Sequence, residues 1–242
     1  MLASLFAAVF TTALVAPPAA NPCLEFDALY ARIRDQTIDR ASALARVREL
    51  LPQIRAFYYA YGGKDTPADA GRFPLHGYGS ESIGGKNGSG YQPNGYDWFD
   101  GYRSKGHPGH DLFIHDRDRN ELDDRTGKAV DVVSITDGVV VAYSPDWNPG
   151  SGLRGGRYLY IYGVSANGIY YYAHNRTLAV KPGDIVTSGQ VIATVGRSGK
   201  NAAEARSPTH LHIMFLAIGD DGYPRPRNIY ADLIRSARTG DR

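Results

Sequence analysis

Histidines and one aspartate fall into three groups whose spacing suits metal chemistry. The run H-P-G-H-D places His107 four residues before Asp111. In the run H-L-H, His210 and His212 alternate within a β-rich stretch, so both imidazoles point to the same face of a strand. His174 ends the strand-like run G-I-Y-Y-Y-A-H. These five side chains are candidates for a single site.

Imidazole and carboxylate groups are good zinc ligands, and three protein ligands leave a fourth position open for water or substrate. Such an open site is typical of a catalytic zinc. A closed structural zinc site is usually rich in cysteine, and this chain has only Cys23. The five candidates exceed the three ligands needed, and spare imidazoles beside a metal can act as general bases or stabilise developing charge. Residue types and spacing do not separate the ligands from the bases.

The same groups resemble the H-x-G-x-D, Y-x-H and H-x-H signatures of the lysostaphin/LytM-type zinc metallopeptidases. Phrases between them, such as S-G-Q-V-I-A-T-V-G-R-S-G and S-P-T-H-L-H, are similar to that family in order and spacing over roughly residues 73–216. The resemblance implies one Zn²⁺ per chain, with His107, Asp111 and His212 as its ligands. It implies that His174 and His210 are the two catalytic histidines.

His110 has no role in that pattern. Neighbouring residues of a strand point to opposite faces, so we expect His110 at the surface or behind the ligands.

The activity that the resemblance implies is that of a zinc metalloendopeptidase, a hydrolase that cuts cross-links or stem peptides of peptidoglycan. Peptidoglycan peptides are then the expected partners, and the exact scissile bond stays open. A non-catalytic wall-binding or regulatory module is the alternative, because some members of the family have lost ligands. All five positions are filled here, which favours catalysis. A third interpretation is an endopeptidase that acts on peptides that are not part of the cell wall, such as glycine-rich proteins.

The segment 82–106, directly before His107, combines many glycines with large aromatic residues. A chain of this composition is suited to a mobile wall that borders a groove rather than to a core of its own. We therefore predict that Tyr91, Tyr96 and Trp98 contact the substrate peptide. The alternative is an inert surface loop whose aromatic rings pack against the sheet, because rings of this size bury readily.

Short β-rich runs separated by turn residues follow from position 130 onward and would carry two of the three groups. They lie at 130–135, 138–144, 157–163, 168–174, 190–196 and 210–216. No regular alternation with long helices occurs, which argues against a doubly wound parallel sheet. The predicted fold is mainly β, an antiparallel sheet core of the LytM type, with an N-terminal helical extension and a short C-terminal helix over 228–236.

Residues 24–61 show helical periodicity in two series, with a turn expected near Gln36. Thr37 is a candidate cap of the second helix, and Pro52 is expected to kink or divide it. The predicted organisation is a signal peptide over 1–20, a helical N-terminal extension over 21–64 and a metallopeptidase domain over 65–242.

The signal peptide is predicted from the uncharged apolar run 2–16, which is too short to span a membrane and suits a secretory signal. A buried N-terminal helix is the alternative. We expect an exported protein, periplasmic or extracellular, with no stable membrane insertion after processing.

The charge balance and the loop 115–128 bear on two other possible functions, nucleic-acid binding and calcium binding. The chain carries 27 Lys and Arg against 25 Asp and Glu, which argues against a nucleic-acid partner. The charged run 115–128 opens with D-x-D-x-N, but Glu121 and Gly127 stand where a calcium loop needs Gly and Glu. A solvated loop is therefore predicted there.

Overall fold

The computed structural model describes residues 21–65, 67 and 71–239, so the predicted signal peptide lies outside the described residues. The helices are α1 (Pro22–Arg34), α2 (Arg40–Ala60) and α3 (Tyr230–Thr239). The strands are β1 (Gly109–Phe113), β2 (Asp131–Val133), β3 (Gly138–Ser144), β4 (Arg157–Gly163), β5 (Gly168–Leu178), β6 (Ile185–Val186), β7 (Val191–Val195), β8 (His210–Ile218) and β9 (Pro224–Arg227). None of the described helices is both long and apolar enough to cross a membrane.

Within the described residues, nine strands form one sheet in which every strand pair is antiparallel. The main path runs β1-β8-β5-β4-β3-β6, while β7 pairs with β2 and β5, and β9 pairs with β8. The predicted fold class, mainly antiparallel β with N-terminal helices and a short C-terminal helix, is confirmed. Strands β1, β6 and β9 were not expected from the hydrophobic pattern.

The two faces of the sheet carry different apolar clusters because side chains alternate along each strand. On β4, Tyr158, Tyr160 and Tyr162 face one cluster, and Leu159 and Ile161 face the other. Helices α1 and α2 belong to the tyrosine side, which we call the helix face. The residues that α1 and α2 bury there include Phe26, Leu29, Ile33, Val47, Leu50 and Ile54.

The helical extension therefore shares an apolar cluster with the sheet. The domain boundary at 64/65 stays a prediction.

Two local expectations for the helices differ from the structure. The cap of α2 is Asp39 rather than Thr37, since the Asp39 carboxylate accepts a hydrogen bond from the Ser42 amide at 2.9 Å. Helix α2 also runs without division through Pro52. Its buried residues occur on both sides of the proline, at Val47 and Leu50 before it and at Ile54 after it. We infer that packing of both halves against the sheet keeps them in one helix despite the lost backbone hydrogen bond.

Candidate metal centre and its groove

The three predicted ligands meet where β1 pairs with β8. Asp111 on β1 lies directly opposite His212 on β8, and directly paired residues of an antiparallel sheet share one face. The Oδ1 atom of Asp111 lies 2.9 Å from Nδ1 of His212 and 3.2 Å from Nε2 of His107. One ligand atom from each residue lies within 4.8 Å of the other two.

Gly109 lets the two strands approach closely enough to form this cluster. A Cβ atom at Gly109 would lie 2.5 Å from the Ile213 carbonyl oxygen and 2.8 Å from Nε2 of His212. Any other residue would therefore displace the His212 ring or separate the strands. This accounts physically for the glycine in H-P-G-H-D.

Three of the site histidines point one ring nitrogen at a backbone carbonyl. The Nδ1 atoms of His107, His174 and His210 lie 2.8, 2.8 and 2.7 Å from the carbonyl oxygens of Gly90, Ser198 and Pro208. A carbonyl can only accept a hydrogen bond, so each Nδ1 must carry a proton. In the neutral rings, each Nε2 consequently keeps a free lone pair.

His212 is oriented differently, since its Nδ1 atom faces the Asp111 carboxylate. The donor set thus consists of Nε2 of His107, a carboxylate oxygen of Asp111 and Nδ1 of His212. Two imidazole nitrogens and one carboxylate oxygen are suitable zinc ligands, and three protein ligands leave a coordination position open. The residues present therefore fit the predicted zinc ion.

The charges of the site depend on burial and on Asp111. Burial opposes ionisation of Asp111, but hydrogen bonds from His107 and His212 hold the pKa of its carboxyl far below the ordinary value. The hydrogen bond to Asp111 raises the pKa of His107, despite partial burial. Burial lowers the pKa of His212, and it lowers the pKa of His174 to about 3. The structure therefore favours an ionised Asp111 beside neutral imidazoles of His174 and His212 at neutral pH.

His174 reaches the site through an irregular position of β5. Its φ of +67° is in the left-handed region, which is uncommon for a residue other than glycine, and the pairing register of β5 shifts just beyond it. A bulge of this kind redirects a side chain, and backbone strain is often concentrated at functional sites. The His174 ring centroid lies 4.9 Å from that of His210 and 6.0 Å from that of His212.

A cavity of about 320 Å³ on the helix face is lined by all five candidate side chains, those of His107, Asp111, His174, His210 and His212. Tyr96 and three tyrosines of β4 and β5 also line it, namely Tyr158, Tyr160 and Tyr171. Helix α1 contributes Tyr30 and Arg34, although it lies outside the family resemblance over residues 73–216. The amphipathic pattern of α1 predicts only that it packs on some surface. The sheet topology decides that this surface borders the metal centre.

The three predicted substrate contacts lie in three different environments. Tyr96 is partly buried and lines the cavity. Trp98 is only 3% exposed and stacks on Tyr30 with ring centroids 5.4 Å apart, so its packing joins the segment 82–106 to α1. Tyr91 stacks on His110 at 6.0 Å and is absent from the cavity lining. The structure therefore brings Tyr96 and Trp98 to the groove and Tyr91 to the other side of β1.

His110 is fully buried rather than at the surface. It points away from Asp111 as expected from strand alternation, and its ring lies between those of Tyr91 and Tyr230. Its Nε2 atom is 3.0 Å from Oδ1 of Asn228. The residues that bury it come from α3 and from the loop before β1, which the local pattern could not place.

The loop 115–128 is partly buried. Its residues Asp123 and Lys128 form an isolated antiparallel bridge with each other, and Asp123 is 2% exposed. Three of its carboxylates, from Asp116, Asp118 and Asp124, lie within 4.8 Å of one another. The prediction of a solvated loop is therefore wrong for Asp116 and Asp123, whose side chains are buried.

The profile of peptidase family M23 matches residues 120–223, which include His174, His210 and His212. Over this segment, which is less than half of the chain, the sequence is similar to peptidase family M23. The resemblance to the lysostaphin/LytM-type peptidases is thereby confirmed. No curated protein sequence matches the chain at a significant level.

Solved structures similar to this chain include three from different bacteria. A zinc-containing peptidase from Vibrio cholerae is 25% identical with a TM-score of 0.40, and the match covers 64% of this chain and 38% of that one. The catalytic domain of lysostaphin from Staphylococcus simulans is 21% identical with a TM-score of 0.38, covering 60% and 86%. A LytM-type protein from Ruminococcus gnavus is 20% identical with a TM-score of 0.46, covering 92% and 84%. The chain thus spans well under half of the Vibrio cholerae peptidase.

Proposed function

We propose that this protein is a zinc-dependent endopeptidase that hydrolyses cross-links or stem peptides of peptidoglycan. The observation that carries the proposal is the clustering of His107, Asp111 and His212, whose ligand atoms lie within 4.8 Å of one another. Two further histidines, His174 and His210, line the same cavity. The peptidoglycan substrate itself follows from the family resemblance.

A zinc ion held by these three residues would polarise the scissile carbonyl and make a water molecule acidic enough to attack at neutral pH. The remaining chemistry is that of His174 and His210. With Nδ1 protonated and hydrogen-bonded to the backbone, the Nε2 atom of each can accept a proton from the attacking water. Once protonated, the same nitrogen can donate a hydrogen bond to the tetrahedral oxyanion or a proton to the leaving amine.

The groove supplies the binding surface for the peptide. Tyr96, Tyr158 and Tyr171 line it with rings that carry hydroxyl groups, so they can contact both the apolar and the hydrogen-bonding parts of a peptide. We propose that the protein acts outside the cytoplasm, in the periplasm or extracellular space, where peptidoglycan is found. The predicted leader over 1–20 is the export signal in this proposal.

The test is digestion of defined muropeptides by the purified protein, with fragments identified by mass spectrometry and zinc measured in the same samples. We expect peptide-bond cleavage that stops on addition of a chelator and returns with added Zn²⁺. His212→Ala provides the control that lacks one ligand. Binding to wall material without cleavage at any zinc concentration would contradict the proposal and favour the non-catalytic module. Glycine-rich peptides from sources other than the wall, tested in parallel, separate the two endopeptidase interpretations.

A further inference from the structure

The orientation of the two predicted catalytic histidines depends on two backbone carbonyls. The Ser198 carbonyl accepts a hydrogen bond from Nδ1 of His174, and the Pro208 carbonyl accepts one from Nδ1 of His210. Any residue that fixes both carbonyls would set both imidazoles. Arg197 is adjacent to Ser198, and its side chain reaches the segment around Pro208.

Arg197 is 9% exposed, and its guanidinium donates to three acceptors on that segment. They are the carbonyl oxygen of Ser207, the carbonyl oxygen of Glu204 at 2.8 Å and Oγ1 of Thr209 at 3.3 Å. Ser207 and Thr209 are the two neighbours of Pro208. The side chain of Arg197 therefore holds both sides of the carbonyl that orients His210, while its main chain leads directly into the carbonyl that orients His174.

The loop 115–128 completes the same hydrogen-bond network. The Thr209 hydroxyl donates to Oδ2 of Asp116 at 2.6 Å, and the Arg197 amide donates to Oε1 of Glu121 at 3.0 Å. Asp116 is itself held by the backbone amides of Asn120 and Glu121 at 3.0 and 2.9 Å. The loop thus supplies a buried carboxylate to the network that contains the buried guanidinium.

The charges of this network compensate each other. Burial raises the pKa of Asp116, but hydrogen bonds from Thr209 and from the loop amides outweigh it and hold that pKa below its ordinary value. Asp116 is therefore ionised at neutral pH. Its negatively charged carboxylate and the positively charged guanidinium of Arg197 are both hydrogen-bonded to the Thr209 hydroxyl. A buried network in which every member is satisfied is rigid, and rigidity is what a positioning role requires.

We propose that Arg197, together with Thr209 and Asp116, is a positioning unit that fixes the orientation and tautomer of His174 and His210. The proposal rests on the proposed function for its catalytic consequence. In this proposal the loop 115–128 does not contact substrate. It stabilises the positions of the two histidines through its hydrogen bonds to Thr209 and Arg197.

Steady-state kinetics on a muropeptide provide the first test, with Arg197→Met and Thr209→Val as the variants. We expect kcat per zinc-loaded, folded molecule to fall about tenfold to a hundredfold, because a small misplacement of catalytic groups is enough for such a loss. KM and zinc content should stay unchanged. Arg197→Lys should recover part of kcat, since its ammonium can reach some of the same acceptors.

Arg55→Met is the matched control. The Arg55 guanidinium also donates to three acceptors, Oη of Tyr162 at 3.1 Å, the Val164 carbonyl at 3.3 Å and Oδ1 of Asn167 at 3.2 Å, but it does not line the cavity. It should lower Tm without lowering kcat per folded molecule. If Arg197→Met and Arg55→Met have the same kcat, the positioning role is wrong.

Imidazole ¹⁵N NMR of the zinc-loaded protein provides a test that needs no activity. In the wild type, His174 and His210 should both be protonated at Nδ1, and Arg197→Met should convert them to mixtures of tautomers. If the wild type cleaves no peptide but the tautomers change in this way, the proposed function fails and the positioning unit stands. Unchanged tautomers in the variant would overturn the positioning unit, whatever the activity.

Discussion

Replacing Gly101 by alanine tests how the N-terminal helices are attached to the wall of the groove. Gly101 lies in the turn Trp98–Arg103, at φ +50° and ψ −122°, a conformation that residues with a Cβ atom rarely adopt. A Cβ atom there would lie 2.5 Å from the carbonyl oxygen of Arg34 and 2.7 Å from that of Ile33. Both oxygens are backbone atoms at the end of α1, so they cannot rotate away as a side chain would.

Two costs add at this position. The unfavourable backbone conformation costs about 1–3 kcal/mol, and a methyl group forced against a packed surface costs about 1–3 kcal/mol more. We therefore expect Gly101→Ala to lower the free energy of unfolding by about 4 kcal/mol, which for a chain of this size lowers Tm by about 8–16 °C. Gly62→Ala is the control, because Gly62 also has a positive φ, +91°, but no atom lies within 4 Å of the position that a Cβ atom would take. It should cost only about 1–2 kcal/mol.

Urea unfolding followed by circular dichroism, together with thermal melts, measures both variants against the wild type. The Gly62 variant gives the cost of adding a Cβ atom at a positive φ with no neighbour, and a markedly larger loss in the Gly101 variant indicates the clash with α1. If Gly101→Ala and Gly62→Ala destabilise the protein equally, the turn Trp98–Arg103 does not pack against the end of α1.

Three further predictions concern the metal centre and the groove. Asp111→Ala should lose zinc after dialysis whereas His110→Ala should keep it, because His110 faces the opposite side of β1; elemental analysis showing equal loss would reassign the ligand. His174→Ala should retain zinc but lose hydrolysis by about a hundredfold or more, and near-normal turnover would remove His174 from the mechanism. Tyr96→Ala should raise KM with Tm unchanged, whereas Trp98→Ala should lower the free energy of unfolding by about 3–5 kcal/mol because its ring is buried; the reverse pattern would exchange their roles.

Local patterns were sufficient for much of the fold. All six predicted strand runs coincide with strands, namely β2, β3, β4, β5, β7 and β8, to within a few residues, because alternation of apolar residues and turn residues between them are local signals. The short strands β1 and β9 were not predicted, since G-H-D-L-F and P-R-P-R lack the alternation of apolar residues that marks the other strands. They are strands because they pair with β8, which offers them backbone hydrogen-bonding partners.

The five histidine and aspartate candidates could be recognised from residue type and spacing, since alternation within a strand places His210 and His212 on one face. The orientation of the histidine rings needed the tertiary structure. It depends on which ring nitrogen meets a backbone carbonyl, and the carbonyls of Gly90, Ser198 and Pro208 come from separate loops. No spacing rule within one motif specifies those contacts.

The second contribution of the tertiary structure is the groove around the metal centre. The sequence pattern of α1 shows an amphipathic helix, and the pattern of 82–106 shows a loop rich in glycine and aromatic residues. Neither pattern states which surface it contacts, because burial of an apolar face is favourable against any complementary apolar surface. Chain connectivity and the sheet order place α1, Trp98 and the site on the same face of β8, β5 and β4. Local residue types therefore carry the chemistry of this protein, and long-range packing decides the walls of the site in which that chemistry would occur.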